Sequence, residues 1–180
     1  GFGMVIQAYG QRAADTVDWL YELAQRLDRR MTLRLVKGAY WDTEIKRAQA
    51  LGVDGFPVFT RKAASDVSYL AVSRQLLGMT DRLYPQFATH NAHSVAAVLA
   101  MAEAMQVPTE AFEFQRLHGM GERLHDIVMH RHGTRCRIYA PVGEHRDLLA
   151  YLVRRLLENG ANSSFVNQIV DENVPPETVV

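Results

Sequence analysis

Arg154, Arg155 and Glu158 are the residues whose types and spacing best suit the capture of a small acid. On a helix, Arg154 and Arg155 both reach Glu158, one from four positions away and the other from three. Two adjacent guanidiniums held by one carboxylate form a planar fork that binds a substrate carboxylate bidentately. The same residues also read as an ordinary solvated helix face, and periodicity alone does not choose. Arg34 and Lys37 form a second candidate. A lysine at a strand end can form a Schiff base, with neighbouring cations lowering its pKa, or it can simply point into solvent. Arg34 could instead supply positive charge beneath a cofactor ring. His90 and His93 invite a metal, but no carboxylate recurs at neighbouring strand ends, so a metal is not expected. Thr60, Arg61 and Lys62 put a hydroxyl and two cations at a helix start, which suits phosphate and an ordinary capped helix alike. His125, His130 and His132 read as surface histidines, and Phe165 as a core residue.

The elements that must carry these groups alternate. Strands are predicted over Met4–Tyr9, Met31–Lys37, Tyr84–Thr89, Phe112–Leu117 and Arg135–Ala140. Helices are predicted over Ala13–Leu27, Trp41–Leu51, Ala63–Leu77, Val95–Met105 with Ser94 as cap, Gly121–His130, and the stretch around Tyr151–Asn159. Phe56–Thr60 reads as a short extended segment limited by Pro57. On the last helix, Leu148, Leu149, Leu152, Val153, Leu156 and Leu157 share one side; Asp147, Tyr151, Arg154, Arg155 and Glu158 share the other. Five strand–helix units without a hairpin signal imply a parallel sheet with helices outside. A five-stranded doubly wound sheet would be complete at this length, whereas a (β/α)8 barrel of roughly 250 residues would be only partly present. Every strand ends in hydrogen-bonding side chains, and no glycine-rich phosphate loop follows the first strand. That distribution favours the barrel, whose chemistry collects at all its strand ends.

Composition narrows the function classes. The 180 residues carry 20 basic and 20 acidic side chains, so no charge imbalance points to nucleic acid. The one cysteine, Cys136, allows neither an intrachain disulfide nor a CxxC site. No apolar run reaches the length of a membrane span. The opening Gly1-Phe2-Gly3 and the proline-bearing end read as cuts in a longer polypeptide.

Five blocks carry a family resemblance: Leu33–Trp41, Phe87–His93, Phe114–Gly121, Arg137–Gly143 and Tyr151–Asn162. In this order they resemble the flavin-dependent proline dehydrogenase domain, above all its version in the bacterial bifunctional proline utilization A family. The resemblance implies a distorted (β/α)8 barrel of which this chain is the C-terminal part, about strands 4 to 8. Residues 1–166 would belong to the barrel, and 167–180 would lead toward an aldehyde dehydrogenase domain. It implies noncovalent FAD, oxidation of L-proline to Δ1-pyrroline-5-carboxylate, and electrons passed to a quinone. It implies a cytoplasmic enzyme, with peripheral membrane association and a homo-oligomer both left open.

Carried over residue by residue, the resemblance makes Arg154 and Arg155 the partners of the proline carboxylate, with Glu158 holding them. Tyr40 and Leu117 would line the substrate pocket, and Tyr139 would pack against the site. Gln7, Arg34, Val36, Gly38, Ala39, Trp41, Thr60, Lys62, Thr89, His90, Asn91, Gln115 and Phe165 would contact FAD, with Arg34 near the flavin's reactive edge. The family's active-site lysine and aspartate lie on earlier strands and have no counterpart here. A Schiff-base lyase using Lys37 and a noncatalytic half-barrel are the rival readings.

Overall fold

The structure, a computed structural model, describes residues 3–160, with side chains as far as Arg155. Its elements are β1 (Gly3–Gln7), α1 (Ala13–Arg26), β2 (Met31–Val36), α2 (Trp41–Leu51), α3 (Lys62–Leu77), β3 (Leu83–Ala88), α4 (Ala92–Ala104), a 3-10 turn (Thr109–Ala111), β4 (Glu113–Leu117), α5 (Glu122–His132), β5 (Cys136–Tyr139) and α6 (His145–Gly160). The expected alternation of strand and helix is therefore present, with boundaries shifted by a few residues. The 3-10 turn was not anticipated; Pro108 precedes it in extended backbone.

The strands form one five-stranded sheet in the order β1-β2-β3-β4-β5, and the registers of β1–β2, β2–β3 and β3–β4 are parallel. Each strand lies beside its predecessor, so among the described residues the order never reverses as it does in a doubly wound sheet. Strand alternation then sorts the side chains. In β2, Met31, Leu33 and Leu35 are buried while Thr32, Arg34 and Val36 are half-covered. β3 repeats the pattern with Leu83, Pro85 and Phe87 against Tyr84, Gln86 and Ala88.

The buried set packs with Val17, Leu20 and Ala24 of α1, Tyr69, Val72 and Leu76 of α3, Val95 and Val98 of α4 and Val128 of α5 in one hydrophobic core. The chain divides into two compact units, Gly1–Ile138 and Tyr139–Val180. Among the described residues, the core lies wholly in the first.

Candidate functional site

The ends of β1 and β2 are knitted to the extended segment before α3. Tyr9 N donates to Lys37 O at 2.8 Å, Phe59 N to Tyr9 O at 2.8 Å, and Gln11 N to Pro57 O at 3.0 Å. Gly10 and Val58 form an antiparallel bridge, and Trp41 Nε1 donates to Phe59 O at 2.8 Å. Ala39 N donates to Gln7 Oε1 at 3.4 Å. Gly38 is essential to this clasp: its φ is 138°, and a Cβ there would collide with the Tyr9 ring. Gln7, Gly38, Ala39 and Trp41 are thereby gathered at one place, together with Val36 at the end of β2. Tyr40 and Thr60 are exposed beside them.

Lys37 is held in an ion pair. Its Nζ donates to Asp66 Oδ1 at 2.5 Å, and Lys62 Nζ reaches Asp66 Oδ2 at 3.2 Å. Burial raises the Asp66 carboxyl, but hydrogen bonds and charge from Lys37 and then Lys62 outweigh it and hold the group below the usual carboxylate range. A lysine held by a carboxylate is a poor nucleophile toward a carbonyl, which weighs against the Schiff-base reading. Lys62, expected at the cofactor, reaches the same aspartate.

The ends of β3 and β4 interlock through two histidines. Leu117 N donates to His90 Nε2 at 2.9 Å, so that nitrogen carries no proton and the neutral ring carries its proton on Nδ1. His125 Nε2 lies 3.0 Å from Thr89 O. A carbonyl only accepts, so this nitrogen is the protonated one. His125 is not the surface residue expected: it is fully buried, because α5 turns that side of its first turns onto β4, where the ring meets Phe114 at 5.9 Å. Burial pushes its pKa down, with Arg116 adding to the effect. Gly121, at φ 64°, sits between the two imidazoles; a Cβ would lie 3.2 Å from His90 Cδ2 and 3.4 Å from His125 Cδ2.

The cap of α4 also differs from expectation. Asn91 is the N-cap, its Oδ1 accepting from Ser94 N at 2.9 Å and from Ser94 Oγ at 3.1 Å. Ser94 is a partner within the first turn. Sequence reasoning favoured the serine because both residue types cap well and only the backbone decides where the helix begins.

The half-covered face of the sheet is polar. Paired registers align Val5, Arg34, Gln86 and Glu113 in one row across β1 to β4. Glu113 Oε1 accepts from Gln86 Nε2 at 2.7 Å, Gln115 Nε2 at 3.0 Å and Arg137 Nε at 2.6 Å. Its Oε2 accepts from Arg137 Nη2 at 3.0 Å and Tyr84 OH at 3.4 Å. Burial alone would raise the Glu113 carboxyl; hydrogen bonds from Arg137, Gln115 and Gln86 together hold it below the usual range. Asp66, Glu113 and His125 were the residues that sequence reasoning passed over as functional. The signal available for Glu113 was polar residues at alternate positions, Glu113 and Gln115, in a strand whose five residues are all buried.

In the second unit, Tyr139 ends β5 and Arg154 and Arg155 lie on α6. Arg155 Cζ stands over the Tyr151 ring, 5.2 Å from its centroid. Leu149, Leu152 and Val153 are exposed, whereas Leu148, Tyr151 and Arg155 are half-covered. Each side of the helix is therefore part covered and part exposed, with Asp147 and Arg154 exposed on the polar side and Leu148 half-covered on the apolar one. The side chain of Glu158 and the whole of Phe165 lie outside the described residues. No three His, Cys, Asp or Glu among the described residues are grouped to hold a metal.

The family model described as proline dehydrogenase matches residues 1–168. The chain belongs to the proline dehydrogenase family. It is 55% identical over 185 aligned residues to the bifunctional protein PutA of Klebsiella aerogenes, covering 100% of this chain and 14% of that protein. Proline dehydrogenase 1 of Bacillus subtilis is 33% identical over 165 residues, covering 91% of this chain and 47% of the relative. The chain thus spans about a seventh of the first relative and about half of the second.

Among solved structures, a variant of proline utilization A from Bradyrhizobium japonicum matches with a TM-score of 0.88 and 59% identity, over 99% of this chain and 18% of that one. Proline utilization A of Bdellovibrio bacteriovorus inactivated by N-propargylglycine matches with a TM-score of 0.89 and 42% identity, over the same shares.

Proposed function

We propose that the chain is the C-terminal part, about strands 4 to 8, of a (β/α)8 barrel that oxidises L-proline to Δ1-pyrroline-5-carboxylate. Residues 1–166 would form the barrel portion, and 167–180 would lead toward a linked aldehyde dehydrogenase domain. The observation that carries the reading is the family match over residues 1–168, which takes in every strand end and the Arg154–Arg155 pair. Two findings support it. The strand order advances without reversal, as in a barrel. One matched relative is inactivated by N-propargylglycine, which shares a secondary amine and a carboxylate with proline.

The residues present fit FAD. Gln7, Gly38, Ala39, Thr89, His90, Asn91 and Gln115 all stand at strand ends or the loops that follow, with Arg34 in register with Gln86 on the polar face. FAD, when bound, would accept the hydride leaving the carbon beside the proline nitrogen. Arg154 and Arg155 would pair with the proline carboxylate and so orient the ring, with Glu158 holding the two guanidiniums. Tyr40, Leu117 and Tyr139 would line the pocket and exclude water. Arg34 would supply positive charge where negative charge arrives. Electrons would pass on to a quinone, which suits a cytoplasmic enzyme docking at the inner face of a membrane.

Adding L-proline anaerobically to the full-length protein should bleach its yellow flavin absorbance; an unchanged spectrum would overturn the reading. Arg155→Met should raise the proline KM by on the order of tenfold or more while FAD content stays unchanged, since substrate binding loses a counter-charge. Borohydride should trap no substrate on Lys37.

A further inference from the structure

The polar face holds one carboxylate to which the proposed reaction gives no role. Glu113 has only 4% of its side chain exposed, and its donors come from three strands: Tyr84 and Gln86 on β3, Gln115 on β4 and Arg137 on β5. A buried carboxylate is costly unless satisfied in this way. An ionised carboxylate only accepts, so each amide it holds must turn its nitrogen inward. For Gln115 that leaves the amide oxygen pointing away from Glu113, and among the described residues no hydrogen bond is made to it. Gln115 is therefore an acceptor of fixed direction, set by a charge two residues away on the same strand face.

We propose that Glu113 is a positioning residue for the cofactor site: it locks the Gln115 amide so that its oxygen is offered to an N–H donor of the bound flavin. The proposal rests on the reading of Gln115 as a cofactor contact. An oxidised isoalloxazine carries a single ring N–H, on its pyrimidine edge, and a fixed acceptor selects that edge. A glutamine free to rotate would also offer its NH2 and lose that selection.

The test is a double-mutant cycle on FAD affinity, measured by titrating the full-length apoprotein with FAD and following flavin fluorescence. Gln115→Leu is expected to weaken FAD about tenfold, as removal of one hydrogen bond does. Glu113→Gln is expected to weaken it by a similar factor, because a neutral amide at 113 accepts either orientation of Gln115. The double variant is expected to bind no more weakly than Gln115→Leu alone. Additive losses would overturn the proposal, since Glu113 would then act other than through Gln115. Wild-type FAD affinity in Glu113→Gln beside a weakened Gln115→Leu would overturn it while leaving the cofactor contact standing. Wild-type affinity in Gln115→Leu would remove that contact and the proposal with it. Glu113→Asp, which keeps the charge but withdraws its reach by one methylene, completes the same cycle if Glu113→Gln does not fold.

Discussion

Ile6, Leu35, Phe87 and Phe114 run in register across one face of the sheet, and Val5, Arg34, Gln86 and Glu113 run one residue earlier across the other. The first row lies in the core beneath the helices, where Phe87, Phe112 and Phe114 meet in edge-on and tilted pairs at 5.8 to 6.2 Å. Its cohesion is non-directional and scales with the area removed from water. The second row is held by hydrogen bonds aimed at one carboxylate, each requiring a donor at a set distance and angle. A one-residue slip of any strand would exchange the two rows, so the same register that closes the core also assembles the polar network. The difference teaches that stability and site geometry are carried by opposite faces of the same backbone.

Phe87→Ala should therefore give the largest effect on the apolar face, about 3–5 kcal/mol, read as faster amide hydrogen exchange throughout β3 and its neighbours. A loss below about 1 kcal/mol would mean that this row does not bear the stability. Glu113→Ala should cost less, about 2 kcal/mol, because it strands two amides and a phenol without their acceptor. Its signature is in pH. The carboxyl is depressed in the fold, so its contribution is complete above the usual carboxylate range and is lost as pH falls through the lower folded value. The variant should therefore lose less stability than the wild type on acidification, measured by denaturant midpoints over a pH series.

His125 is the titratable exception beneath the apolar face. Its pKa is depressed in the fold, so the unfolded chain takes up a proton first, and stability falls as pH drops below about 6.5. His125→Gln keeps a donor for Thr89 O without titrating. It should shrink the loss between pH 7 and 5, read from denaturant midpoints, and an unaltered slope would show that another group governs it. Arg137→Met should be the mildest change. The guanidinium is 61% exposed, and solvent screening limits its pairing with Glu113 to about 1 kcal/mol or less. A larger loss would show that the arginine, rather than the two amides, organises the polar face.

Much of this was legible in the sequence, for identifiable reasons. Alternating apolar positions in Met31–Val36 and Leu83–Ala88 have the strand period, and the leucines and alanines of Ala13–Arg26 have the helix period, so element types follow from local pattern. The choice between Asn91 and Ser94 as cap was less legible, because two good capping residues stand three apart. On α6, periodicity sorts the residues into two sides but does not say which of them are covered. Exposed residues stand on both sides, Arg154 beside half-covered Tyr151 and Leu149 beside half-covered Leu148, because burial is decided by what the helix meets.

The sequence by itself determined the alternation of strands and helices, the polar strand ends and the family, because these rest on residue order and local period. Only the tertiary structure decided that Lys37 is bound to Asp66, 29 positions away, and that Arg137 meets Glu113 across 24. It alone buried His125 against Thr89, 36 positions distant. The physical reason is common to all three. A charged or polar side chain takes the partner that the fold carries to it, and that partner is set by strand register and helix packing, neither of which leaves a local mark in the chain.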